Sequence, residues 1–303
     1  MHFHPENFVP FVSWLRGYRR RFVKPDLFAG LTVAVVAVPQ SMAYALIAGL
    51  PVEYGLYASI VPTIIGCLWG SSAHLITGPT TTASLVVFST LSPIATPGDL
   101  NYIQLALFLS LLVGTVKIVM GLARLGALLN FVSHAVLIGF TTGAAVLIAA
   151  KQLPGLLGLR IEKTVFLAEH LFKVMVHLNE VEVISLGLGL ATILIITGVK
   201  KFRPAWPGTL MAMVLVGGLV AFWNLDQQGV AVVGAIPRGL PPISWPTMGV
   251  AMLFDQLAPG ALAIAILGLV EAMSIAKSIA DQTRQRLNVN QEFIGQGLAN
   301  VAA

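Results

Sequence analysis

The chain has 303 residues, 56% of them hydrophobic and only 10% charged, with a formal net charge of +5. A soluble domain averages about 25% charged residues, so the composition excludes an ordinary soluble globule and predicts a polytopic membrane protein. Its single cysteine, Cys67, excludes an internal disulfide and a cysteine-based metal site, and in such a chain the basic surplus marks the cytoplasmic side rather than a nucleic-acid partner.

Residues 1–25 read as a cytoplasmic N-terminal arm, and residues 26–303 as one transmembrane domain. No short apolar core with a small-residue cleavage site follows the arm, so the first span is expected to act as an uncleaved insertion signal. That span runs from about Leu27 to Leu50 and is interrupted by Pro39-Gln40-Ser41, a polar patch unsuited to lipid. Within it, Gln40 and Tyr44 stand one helical turn apart; Gln40 can donate to an oxyanion and Tyr44 can wall a pocket, while the plainer reading of both is helix–helix hydrogen bonding. A second span is expected from Leu56 to Trp69. Gly70 to Gly78 is too short and polar for a helix, and is expected to enter the protein interior as extended chain, which is tolerated where protein rather than lipid surrounds it.

The most informative stretch follows. Gly78 and Pro79 break the chain, Thr80, Thr81 and Thr82 offer hydroxyls, and an apolar run then reaches Leu91. A helix over Thr80–Leu91 is roughly 18 Å long, against a hydrocarbon core of roughly 30 Å, so it is expected to be a half-helix starting near the membrane midplane. Pro79 suits a first turn. The free N–H groups and the positive dipole end of such a turn form an anion site, a device used by secondary transporters. The other reading is an ordinary helix lying near the surface, and for any one threonine, Thr82 above all, back-bonding to its own helix competes with ligand binding.

Further spans are expected over Tyr102–Met120, Val132–Leu153, Val183–Val199, Gly208–Trp223 and Leu257–Ala280, with a ninth starting near Phe293. Small residues in the fifth span, Gly139, Thr141, Thr142 and Gly143, permit close helix packing. Leu156–Glu182 reads as an outer amphipathic region, Asn224–Phe254 as a long outer loop and Asp281–Arg286 as an inner loop. Thirteen of the 18 basic residues then fall in inner segments: Arg16, Arg19, Arg20, Arg21, Lys24, Lys117, Arg124, Lys200, Lys201, Arg203, Lys277, Arg284 and Arg286. This bias predicts a cytoplasmic N-terminus, and it requires the short third segment to count as a crossing.

Of the 13 acidic residues, Glu271 is the one read as lying deep in an apolar run. Burial there disfavours its charged form, so it can take up a proton. Gly268, Ser274, Ile275 and Ser278 share its helical face, which is expected to point inward; the structural alternative is a Glu bonded to a broken-helix backbone. His74 and His134 read as interfacial rather than as ligands or relays. No nucleophile–base pair, metal cluster or phosphate loop is visible, so no enzyme activity, cofactor or metal is expected.

Three further stretches carry a resemblance. Pro39-Gln40-Ser41-Met42-Ala43-Tyr44-Ala45 with Tyr54-Gly55-Leu56-Tyr57-Ala58-Ser59, Ser133-His134-Ala135 through Gly143, and Asn290-Gln291-Glu292-Phe293-Ile294-Gly295-Gln296 together resemble the SulP family of sulfate permease-like anion transporters. The resemblance implies an all-α membrane fold of two inverted seven-segment repeats, with a core moving against a gate and the anion held between half-helices three and ten. It implies substrate contacts at Gln40, Tyr44, Thr80 and Thr81, and cation coupling at Glu271. Sodium-coupled bicarbonate members look to have Asp at the last position and Thr four residues on. Glu271 and Ile275 stand here instead, which favours protons over sodium. The family's length implies that this chain is a fragment that stops before the tenth half-helix and a STAS domain, and that the full-length form is a homodimer.

The function expected is secondary active transport of an inorganic, sulfate-type oxyanion, by proton symport in the inner membrane. Bicarbonate or dicarboxylate transport, sodium coupling, an anion channel and a non-transporting scaffold are the rivals.

Overall fold

The computed structural model describes residues 10–127, 134–159, 161, 166–203, 206, 208–232 and 250–303. Eleven α-helices are described: α1 Pro10–Gly17, α2 Arg20–Ala48, α3 Val52–Trp69, α4 Thr81–Leu91, α5 Leu100–Leu122, α6 His134–Leu157, α7 Leu167–Val176, α8 Val183–Phe202, α9 Gly208–Phe222, α10 Val250–Thr283 and α11 Val289–Val301. Among the described residues there is no strand. Five helices, drawn from α2, α3, α5, α8 and α10, are long and apolar enough to cross a membrane. In α8 no residue is buried, and an apolar helix without protein cover requires lipid. This is a multi-pass membrane protein.

The chain divides into two compact units. One comprises Met1–Leu27, Ala37–Phe140 and Pro237–Ala303; the other comprises Phe28–Val36 and Thr141–Ile236. In the second unit, Glu182 caps α8, its carboxylate accepting from the Ser185 N–H at 2.7 Å. Hydrogen bonding from the Ser185 side chain, and then from backbone N–H groups, holds its carboxyl below the ordinary glutamate range. The expected outer amphipathic region contains a true helix, α7, with His170 and Val174 buried. Most of the expected loop over Asn224–Phe254, residues 233–249, lies outside the described residues.

The first unit positions the site. Its core joins α4, α5 and α10 through Leu91, Tyr102, Leu105, Phe108, Leu109, Val113, Leu257, Ala261, Ile264 and Ala265. A second cluster, Leu269, Met273, Ala276 and Phe293, joins α10 to α11. α5 and α11 approach at two glycines: a Cβ on Gly114 would lie 2.7 Å from the Gly297 carbonyl oxygen, and one on Gly297 2.8 Å from that of Gly114. Backbone contact this close needs residues without side chains.

Two expectations change here. The helix that carries the first span begins at Arg20 rather than near Leu27, so Arg20, Arg21 and Lys24 lie on α2. The helix also runs unbroken through Pro39, with Ser41 buried and its carbonyl packed against Gly55 of α3. A proline removes one N–H from the ladder and strains the preceding turn, but a membrane helix packed on neighbours absorbs this. α2 stops at Gly49, whose φ of 80° is natural to glycine, and the Tyr102 hydroxyl donates to the last carbonyl, of Ala48, at 2.6 Å.

The expected extended segment is observed between Trp69 and Thr81, and its backbone is held by side chains. Glu292 accepts from the N–H groups of Ser71 at 2.7 Å and Ser72 at 3.0 Å. Gln285 donates to the Ser71 carbonyl and accepts from the Ala73 N–H. Gln291 donates to the Trp69 carbonyl at 2.8 Å, and Thr63 of α3 donates to that of Thr77 at 2.6 Å. Backbone groups that no helix satisfies must find such partners away from water.

Candidate functional site

α4 has 11 residues, or about 16 Å of helix, and starts where the break at Gly78-Pro79 puts it. Thr80 is its N-cap: the Oγ1 accepts from the Ala83 N–H at 3.3 Å, and the Thr80 carbonyl takes the Ser84 N–H at 3.0 Å. The cap therefore leaves over the N–H groups of Thr81 and Thr82, at the positive end of the helix dipole.

The cap residue Thr80, with Ala83 and Ser84 of the first turn, borders a cavity of about 260 Å³ within the first unit. Its wall is built from α2 (Tyr44), the extended segment (Thr77, Gly78, Pro79, Thr80), α4 (Ser84), α5 (Ser110, Lys117), α10 (Gly268, Glu271, Ile275) and α11 (Gln296, Asn300), amid apolar residues. Apolar walls with a few convergent polar groups are the usual form of a small-ligand site.

The residues expected from sequence divide as follows. Tyr44, Thr80 and Glu271 share the cavity wall; Gln40 and Thr81 are not among its lining residues. Gln40 is exposed and donates its amide to the Tyr44 hydroxyl, a bond within one helix rather than the helix–helix bond of the plainer reading. Thr80 donates its hydroxyl to Glu271 Oε2 at 3.3 Å, a contact 191 residues apart in sequence that links the N-cap of α4 to the acid of α10. The face of α10 around Glu271 is only partly inward: Gly268 and Ile275 reach the cavity, Ser274 back-bonds to the Val270 carbonyl at 2.6 Å, and Ser278 is exposed. Of the two histidines, His74 lies 3.3 Å from Gln285 Oε1, and the side chain of His134 lies outside the described residues.

Two groups are placed by the structure where sequence reasoning did not put them. Lys117, counted among the inner topological charges, is 6% exposed and lines the cavity. Glu292, in a run that looks polar, is 2% exposed and clasps the extended segment. Lys117 had a usable signal, an ionisable residue inside a long apolar run. Glu292 had none, because its partners are more than 200 residues away.

Comparison with known proteins gives one consistent answer. Residues 23–303 match the sulfate permease family. The chain is 38% identical over 299 residues to a probable sulfate transporter of Mycobacterium tuberculosis, covering 98% of this chain and 53% of that protein. It is 34% identical to the chloroplastic sulfate transporter 4.1 of Arabidopsis thaliana, covering 98% of this chain and 44% of that one. Among solved structures, murine Solute Carrier 26 family member A9, an anion transporter in the inward-facing state, superposes with a TM-score of 0.86 at 22% identity, over 97% of this chain and 52% of that one. The transmembrane domain of the cyanobacterium bicarbonate transporter BicA superposes with a TM-score of 0.79 at 25% identity, over 94% of this chain and 72% of that one. The chain spans about half the length of the curated relatives it matches, and they are named as transporters, not enzymes. On this evidence the chain belongs to the sulfate permease family.

Proposed function

We propose that the protein is a secondary active transporter of an inorganic oxyanion of the sulfate type, working as a proton symporter by alternating access. The observation that carries this reading is the Thr80–Glu271 contact. It places an acid able to take up a proton against the capped N-terminus of a short helix, in one cavity. An anion bound at that N-terminus and a carboxylate at Glu271 repel each other, so protonation of Glu271 favours anion binding and the two travel together. Neutral Glu271 also gains a donor it can offer to the anion. Tyr44 lines the same cavity, which Thr81 does not reach.

Proton rather than sodium coupling is supported by Ile275. It lines the cavity four residues beyond Glu271 and offers no oxygen, whereas a sodium site needs several. The likeness to a structure titled as a bicarbonate transporter keeps bicarbonate as the second reading of the substrate. The inverted-repeat architecture, a core moving against a gate, a homodimer and a bacterial inner-membrane location with the N-terminus cytoplasmic belong to the same proposal.

The test is uptake of labelled sulfate by the whole gene product in liposomes, with an inward proton gradient, an inward sodium gradient, or neither. The reading expects uphill accumulation with protons alone. Sodium-driven accumulation would overturn the coupling, purely downhill flux would indicate a channel, and no flux for any oxyanion would leave a scaffold.

A further inference from the structure

Lys117 stands in the last third of α5, between Gly114 and Gly121. Its side chain is 6% exposed, and a cation taken this far out of water is costly unless something in the structure meets its charge. The side chain crosses to α10 at Gly268, where a Cβ would lie 3.2 Å from the ammonium and 3.7 Å from Cε. One turn further along α10 stands Glu271, close enough for the opposite charges to attract. Among the described residues, Lys117 and Glu271 are the charged side chains in the cavity wall, and Tyr44 and Tyr54 are its other titratable side chains.

α11 contributes an independent observation. Gln296 lines the same cavity and is 3% exposed, yet its amide Nε2 has no hydrogen-bond partner among the described residues. A buried donor without a partner costs free energy, which an acceptor oxygen in the cavity relieves. An ammonium and an amide donor, each more than nine-tenths buried, therefore border the space that Thr80, the N-cap of α4, also lines.

We propose that Lys117 is the fixed countercharge of the anion site and that, with Gln296, it sets a preference for doubly over singly charged oxyanions. The inference rests on the cavity being the anion site. The charge count supports it. The N-terminus of α4 supplies roughly half an elementary charge, Lys117 supplies one, and Glu271 subtracts one when ionised and none when protonated. With Glu271 ionised the site is barely positive. With Glu271 neutral it carries roughly one and a half positive charges, and a dianion gains about twice the attraction of a monoanion from them. Without Lys117 the balance falls to roughly half a charge, and the advantage of the dianion shrinks with it.

Sulfate and nitrate, titrated separately at equal ionic strength into the purified whole gene product, test this by calorimetry. The wild type is expected to prefer sulfate. Lys117→Gln should weaken sulfate binding by about tenfold or more, the loss expected for a charged hydrogen-bonding partner, while nitrate binding changes far less. Lys117→Arg should restore the sulfate preference. A sulfate-to-nitrate ratio that Lys117→Gln leaves unchanged overturns the inference and spares the anion site. A wild type that binds neither anion overturns both. Should Lys117→Gln fail to fold, Gln296→Leu removes the second donor and leaves the lysine: a reduced ratio supports the inference, and an unchanged one overturns it.

Discussion

Glu292 fixes the shape of the segment that leads into the site. It accepts from the backbone N–H groups of Ser71 and Ser72 and from the Ser71 hydroxyl. Truncating it strands two backbone donors in a poorly solvated place, at about 1–3 kcal/mol each. Glu292→Ala is therefore expected to lower stability by about 2–5 kcal/mol, and Glu292→Gln, which keeps an acceptor, by clearly less. Thermal melts of the purified protein in detergent measure this; an unshifted midpoint in Glu292→Ala would mean the clasp is idle. The residue scale is also where sequence reading was most uneven. Glu271 was legible because apolar residues flank it on both sides. Lys117 has the same surroundings, but its charge also fits a topological reading, and only the fold distinguishes the two. Gln40 illustrates the opposite case: its chemistry suits an anion, yet the tyrosine one turn away takes its amide.

At the scale of elements, the start of α4 was legible in Thr80, because an N-cap acts locally, while Pro79 lies before the cap and not in the first turn expected for it. The path of α2 through Pro39 was not, since proline cost is local while the packing that offsets it is not. Nor was the fit of α5 against α11. A glycine in an apolar helix can mark a close approach or nothing: a Cβ on Gly139 or Gly143 meets nothing within 4 Å among the described residues, whereas one on Gly114 meets backbone of α11 at 2.7 and 2.8 Å. Backbone cannot swing aside, so Gly114→Val should cost about 1–3 kcal/mol or more through overpacking. Gly187→Ala, in open surroundings on α8, serves as the control. Equal melting of the two variants would show that α5 and α11 can separate cheaply.

For the molecule as a whole, the proposed orientation rests on the basic residues, and it stands with Lys117 removed from the count, because the remaining charges assigned to the inside still outnumber those assigned to the outside. In a Cys67→Ser background, needed because Cys67 is exposed, a cysteine placed between Asn224 and Phe254 is expected to react with an impermeant reagent from outside the cell, and one beside Arg284 only after permeabilisation. The reverse pattern would invert the topology. Composition alone announced a polytopic protein, while the meeting of α4, α5, α10 and α11 around one cavity depends on contacts between residues 80 and 271 and between 71 and 292, which no local pattern encodes. The central claim is that Glu271 carries the proton that accompanies the anion. Glu271→Gln keeps the shape and the hydrogen bonding of the protonated acid, so in liposomes it should still exchange labelled sulfate for internal sulfate at close to the wild-type rate. It should fail to accumulate sulfate under an inward proton gradient. Proton-driven accumulation at the wild-type rate in Glu271→Gln would contradict the account.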